Sequence, residues 1–175
     1  KDVVTDDIIA LTVIRNIHDR KLSELQLKKE AVLDPLTRAY NRRSGMEKIE
    51  EILSRYPNQT HAFVFVDLDN FKKINDTYGH EGGDEAIITG AKILKDAFDE
   101  FGVIGRIGGD EFAVMLTDVW PDKAREGIKV LAEGMEAYSD GCCFDASVAV
   151  GIAFYDPDMD AGLDNTLSRA DADMY

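Results

Sequence analysis

The sequence predicts an α/β domain, a central sheet covered by helices, and three observations carry that prediction. Apolar runs of strand length recur at Ala62–Val66, Phe112–Leu116 and Ala146–Phe154. Segments with apolar residues at helical spacing separate them. Composition is that of a globular protein, 45% hydrophobic and 31% charged over 175 residues, which suits one core and excludes a disordered chain.

Residues 1–33 contain no Gly or Pro and carry as many acidic as basic side chains. Leu11, His18, Leu25 and Val32 recur every seven residues, predicting one long helix with an imperfect heptad stripe. That helix either packs on its own domain or forms a coiled-coil stalk from an upstream sensor. Asp34-Pro35 then ends it. Met46–Leu53 reads as a second helix, and Ala62–Val66 as a strand covered on both faces. Ile87, Ala91, Leu94 and Phe98 mark a helical face, and Phe112–Leu116 a second strand. Pro121 suits a helix start, with Ala124, Ile128, Leu131, Met135 and Tyr138 on the buried side. Ala146–Phe154 is a third strand, and Leu163, Leu167, Ala170 and Met174 line a last helix.

The formal net charge is −14, all of it within residues 34–175. Such a surface excludes nucleic acid and anionic lipid, which require a surplus of Lys and Arg. No run approaches the roughly 18 apolar residues that cross a bilayer, and no signal-peptide pattern opens the chain. The two adjacent cysteines, Cys142 and Cys143, make no disulfide scaffold and read as small buried residues near a strand start. A cytoplasmic setting without membrane contact by this segment is expected; an upstream anchor in a longer protein stays open.

Three clusters could carry chemistry. Asp67-Leu68-Asp69-Asn70-Phe71-Lys72 lies at the end of a buried strand, and Phe71, Ile74 and Tyr78 predict a helix starting at once. A carboxylate there can hold a hard cation, while helix N–H groups and a Lys receive phosphate; alternatively Asp69 or Asn70 only caps the helix. An EF-hand fails because its sixth position, Lys72, must be Gly, and a haloacid-dehalogenase start fails because Asn70-Phe71 stands where Gly-Thr is needed. Gly108-Gly109-Asp110-Glu111-Phe112 is first a hairpin turn with glycines at positions tolerating positive φ. If that hairpin lies beside the Asp67 strand, Asp67, Asp110 and Glu111 converge as a cation site, since carboxylates without one repel each other. Gly79-His80-Glu81-Gly82-Gly83-Asp84 reads as a Gly-rich loop opening the Ile87 helix, or as part of a purine site in which Asn75 and Asp84 contact the base edge.

These runs, in this order, resemble the GGDEF family of diguanylate cyclases. Asp34-Pro35-Leu36-Thr37, Asn41-Arg42-Arg43, Ser147–Ala153 and Ala170-Asp171 with Met174-Tyr175 match its other blocks, so the resemblance covers about residues 33–175. It implies an α/β (α+β) nucleotidyl-cyclase-like fold, with a mostly antiparallel five-stranded sheet flanked by helices. The expected domain division is a stalk helix over 1–33 and a cyclase domain over 34–175, the latter expected to be truncated at its C-terminus.

The implied activity is condensation of two GTP into cyclic di-GMP with release of pyrophosphate, by a homodimer driven by an upstream sensor domain through the N-terminal helix. Asp67 and Asp110 would bind Mg²⁺ (or Mn²⁺), with the Leu68 carbonyl as a further ligand. Glu111 would serve a second metal or deprotonate the ribose hydroxyl. Asn70, Phe71 and Lys72 would hold phosphates, Asn75 and Asp84 would read guanine, and His80 would lie near ribose or base; Gly108 and Gly109 would let the substrate approach the backbone. The Lys and Arg that the family carries after its last helix are not found up to Tyr175. The product-inhibition motif is replaced by Asp99-Glu100-Phe101-Gly102, which predicts no feedback through that site. Arg38 stands where the family usually has Gly. A silent GTP-binding regulatory module is the alternative reading.

Overall fold

The computed structural model describes residues 32–98, 102–143, 145–157, 160 and 163–174, together with Ile17 and Lys21. Apart from Ile17, Lys21 and the exposed Val32 and Leu33, the expected stalk helix with its stripe Leu11, His18 and Leu25 lies outside the described residues, as do the acidic stretch at Asp99–Phe101 and Tyr175. The segment from Leu33 onward is one compact unit.

Its elements are β1 (Tyr40–Asn41), α1 (Arg42–Arg55), β2 (His61–Asp69), α2 (Phe71–Phe98), β3 (Gly102–Arg106), β4 (Glu111–Thr117), α3 (Pro121–Gly141), β5 (Ser147–Phe154) and α4 (Leu163–Asp173). One five-stranded sheet runs in the order β1-β3-β4-β2-β5. Only the β1–β3 pair is parallel; β3–β4, β4–β2 and β2–β5 are antiparallel. The expected mostly antiparallel sheet is thus found, with β2 at its centre between β4 and β5.

The strand period of two sorts β2 between the faces. Ala62, Val64, Val66 and Leu68 join Val114 and Phe112 under α2 and α3, where Ile87, Ala91, Leu94, Phe98, Leu131 and Met135 are buried. Phe63 and Met115 pack on the other face with Ile49 of α1 and Leu163 of α4. Phe65, Asp67 and Asp69 share that second face by alternation. The last helix is tied down by Arg169, whose guanidinium donates to the Phe154 carbonyl (2.6 Å) and to the buried Asp160 carboxylate (2.6 and 3.2 Å).

Local signals explain the element starts. Asn41 caps α1, accepting from the Ser44 N–H at 3.0 Å, and Pro121 opens α3. Asn70 turns the chain from β2 into α2 at φ 59°, a conformation Asn tolerates. Arg38, at the position where a Gly was expected, also has φ 59°, and its carbonyl accepts from Lys95 Nζ at 3.1 Å.

Three expectations need correction. Gly79–Asp84 is not a loop: α2 runs through it, broken only at Gly79 (φ 76°, ψ 177°). Beyond that kink Gly83 lies within the helix, and the Asn75 side chain packs where a Cβ on it would be. Of the two cysteines past the end of α3, Cys142 is half-buried against the core and Cys143 is exposed. Neither Gly108 nor Gly109 has positive φ; Gly79 alone among the described glycines does.

Candidate functional site

The β2–β4 ladder runs from His61 opposite Thr117 to Asp67 opposite Glu111. This register brings the two acidic clusters together. Directly opposed side chains on antiparallel strands lie on one face within about 4.5–5.5 Å at Cβ. On the far side of β2, Asp69 pairs with Ser147, whose hydroxyl donates to its carboxylate at 2.7 Å. The Asp67 carboxyl is pushed up to about 6, first by burial and then by the charges of Asp110, Glu111, Asp69 and Asp171.

The turn carrying Asp110 is fixed through its backbone. The Leu68 N–H donates to the Asp110 carbonyl (3.3 Å), and the N–H groups of Ile107 and Gly108 donate to the Glu111 carbonyl (3.0 and 3.3 Å). The Glu111 side chain lies over Gly108, where a Cβ would overlap its carboxylate and push it aside. Around Gly109 there is open space. Glu111 and Asp171 also line a hollow of about 350 Å³, together with Arg42, Phe65, Asp164 and Ser168.

On the other flank, α2 begins at Phe71 directly after Asp69-Asn70, and the Asn70 carbonyl accepts from the Ile74 N–H at 2.9 Å. The first N–H groups of a helix lack partners within it, which makes this start suited to anions. Lys72 is exposed on that first turn and Phe71 half-buried. The half-buried Asn75 reaches Gly83, the neighbour of the exposed Asp84, while His80 is exposed just past the kink. The fold therefore assembles two groupings: Asp67, Asp69, Asp110, Glu111 and Asp171 at the strand ends, and Asn75 with Gly83-Asp84 across the kink of α2.

Asp69 and Asp171 were not among the site residues expected from sequence. Asp69 is in the same run as Asp67 and shares its face by period two, so its proximity was readable. Asp171 arrives from α4, over a hundred residues away, and only the sheet order brings it near.

This donor set suits a hard divalent cation, which carboxylate oxygens prefer. Its charge crowding points the same way, since a cation would offset the repulsion that adds to burial in lifting Asp67. Among the described residues, no three His, Cys, Asp or Glu side chains form a ready-made metal-ligating group. No helix among the described residues is long and apolar enough to cross a membrane.

Comparison with known proteins agrees with this architecture. A family model described as "Diguanylate cyclase, GGDEF domain" matches residues 31–175. Diguanylate cyclase DgcP of Escherichia coli K12 is 35% identical over 151 residues, which cover 83% of this chain and 44% of that protein. Probable diguanylate cyclase DgcC of the same strain is 32% identical over 162 residues, covering 90% of this chain and 42% of that protein. The chain thus spans less than half the length of either cyclase. The crystal structure of a sensory box/GGDEF family protein from Caulobacter crescentus superposes with a TM-score of 0.73 at 30% identity, covering 83% of this chain and 96% of that one.

Proposed function

The chain belongs to the GGDEF family of diguanylate cyclases, and from that premise we propose that it condenses two GTP molecules into cyclic di-GMP. Members of the family generally depend on a divalent metal. The observation that carries the proposal is the pairing of Asp67 with Glu111 across β2 and β4, beside Asp110 on its pinned turn.

In this reading each protomer of a homodimer presents one GTP. The 3′-oxygen of one GTP attacks the α-phosphorus of the other, the bond to the β-phosphate breaks, and pyrophosphate leaves; two such steps close the ring. Asp67 and Asp110, with the Leu68 carbonyl, would hold Mg²⁺ or Mn²⁺. The chemistry such a cation would supply there is charge neutralisation of the triphosphate and a lowered pKa for the attacking hydroxyl. Glu111 receives the hydroxyl proton or supports a second cation. The N-terminus of α2 at Asn70 and Phe71, with Lys72, holds the phosphates. Gly108 and Gly109 leave room for the substrate beside the turn.

Asn75 and Asp84 read guanine: a carboxylate accepts from N1–H and N2–H together, which adenine cannot offer. His80 lies toward the ribose or base. The input is an upstream sensor domain acting through residues 1–33, and the reaction takes place in the cytoplasm, where GTP is available. A silent GTP-binding module is disfavoured, because it has no need of Asp67, Asp110, Glu111, Asn75 and Asp84 together.

The test is incubation of the full-length protein with GTP and Mg²⁺, with product identified by mass spectrometry. Glu111→Gln and Asp67→Asn are expected to abolish cyclic dinucleotide while the protein stays folded. GTP binding without product in a demonstrated dimer would overturn the reading in favour of the regulator. Separately, Asp84→Ser is expected to relax discrimination between GTP and ATP.

A further inference from the structure

Arg106 stands two residues before Gly108 at the end of β3. Its guanidinium folds back over the turn: Nε and Nη2 donate to the Gly109 carbonyl at 3.1 and 2.6 Å. The third nitrogen, Nη1, donates to Asp34 Oδ1 at 3.1 Å. Both side chains are largely withdrawn from solvent, 15% and 17% exposed.

Asp34 is itself held, accepting from the Thr37 N–H (2.9 Å) and hydroxyl (2.8 Å). Burial pulls its carboxyl upward, but the bonds from Thr37 and Arg106 outweigh that and leave it below the usual carboxylate range. Arg106 is thus braced on a fixed anion. At its other end is Gly109, an exposed residue whose missing Cβ would meet nothing within 4 Å. Packing does not hold this part of the turn; a hydrogen bond must.

The consequence falls on Asp110. A peptide unit is planar, so gripping the Gly109 carbonyl also fixes the Asp110 N–H on the other side of that plane. The next plane is fixed by Leu68, whose N–H holds the Asp110 carbonyl. The Cα of Asp110 therefore sits between two restrained planes, and its side chain leaves the backbone in a set direction. We infer that Arg106 is a positioning residue: by clamping the Gly109 carbonyl against the Asp34 brace, it aims the Asp110 carboxylate at the divalent cation. This rests on the proposed function, in which Asp110 is a cation ligand. Only Arg presents N–H groups as a planar fork; Lys can pair with Asp34 but cannot clamp the carbonyl with two donors from one rigid plane.

The experiment measures Mn²⁺ binding to the full-length protein by electron paramagnetic resonance, beside the thermal midpoint of the metal-free form. Arg106→Lys is expected to bind Mn²⁺ about ten- to a hundredfold more weakly, the range for groups that orient a metal's ligands, with its midpoint within a few degrees of wild type. Unchanged Mn²⁺ affinity would overturn the inference and leave Arg106 a purely structural residue. If Arg106→Lys does not fold, Asp34→Ala, which removes the oxygens that brace Arg106 and keeps the fork, is expected to weaken Mn²⁺ in the same direction; unchanged affinity in that folded variant overturns the inference equally. Mn²⁺ binding is read without turnover, so a wild-type protein that binds the ion yet forms no cyclic dinucleotide would defeat the proposed function alone.

Discussion

Asp67 of β2 and Glu111 of β4 face each other as paired residues at the end of an antiparallel ladder, with Asp110 one residue away on a turn bonded to Leu68. Two carboxylates in that relation, half-buried beside Asp69 and Asp171, repel one another, and that repulsion adds to burial in raising the Asp67 carboxyl.

Burial of Asp67, with that repulsion added to it, sets a pH dependence. Asp67 titrates near 6 in the metal-free fold, against an ordinary 3.8. A raised carboxyl favours the fold at low pH, and the contribution is lost as pH rises through 6. Metal-free protein is therefore expected to lose stability between about pH 4 and pH 7 from this group, and Asp67→Asn to remove that step. Millimolar Mg²⁺ should raise the thermal midpoint more at pH 7.5 than at pH 5, where Asp67 holds a proton. Equal Mg²⁺ shifts at the two pH values would contradict the placement of the cation at Asp67.

The two glycines of the turn should respond differently to alanine. Gly108→Ala places a methyl where the Glu111 carboxylate lies. A flexible side-chain end can swing away, so the fold should lose less than about 1 kcal/mol, but Glu111 leaves its place. Cyclic dinucleotide formation is expected to fall at least about tenfold, as for loss of a positioned acid–base group. Gly109→Ala meets open space and should leave the thermal midpoint unchanged. A midpoint that drops only in Gly109→Ala would invert this account.

Gly151 of β5 lies directly beneath α4. A Cβ there would run into the Ala170 carbonyl, which is backbone and cannot rotate aside, and the Met174 side chain. Gly151→Ala is expected to destabilise the domain by about 1–3 kcal/mol, the usual cost of overpacking, measured by urea denaturation. Because α4 carries Asp171, the same variant should also weaken Mn²⁺ binding.

Arg38 holds a left-handed backbone that costs an L-residue about 1–2 kcal/mol, part of which Gly gives back as chain entropy. Its side chain is exposed, and the bond it receives from Lys95 goes to its carbonyl, which survives substitution. Arg38→Gly should therefore raise stability by up to about 1 kcal/mol, read as a higher urea midpoint at unchanged slope. A lower midpoint would show that the Arg side chain contributes more than the backbone loses.

The apolar runs and helical faces were legible because burial imposes a period that sequence displays: Val64 and Phe112, Ile87 and Phe98 all entered the core as their spacing required. Two strands were not. β1 is two residues long, too short for any period, and β3 carries Gly102 and Gly105 among its five residues, which dilutes its apolar signal. The stretch Gly79–Asp84 looked like a loop because glycines usually punctuate; here Gly82 and Gly83 serve close packing by Tyr78 and Asn75 inside a helix. Asp67, Asp110 and Glu111 could be picked out from their own neighbourhoods. Arg106 with Asp34, and Asp171 beside Asp67, could not, since each depends on contacts between distant segments that only the sheet order determines.

The register of β2 against β4 ties chemistry to correctness of folding. Because side chains alternate, a slip of one residue would turn Asp67 to the face covered by α2 and α3 and would expel Val64 and Val66 from that core. A chain mispaired in this way has neither a core nor an acidic site. The sheet thus proofreads its own site: only molecules whose pairing is right carry the acidic cluster, and under the proposed function a misfolded copy is silent rather than noisy.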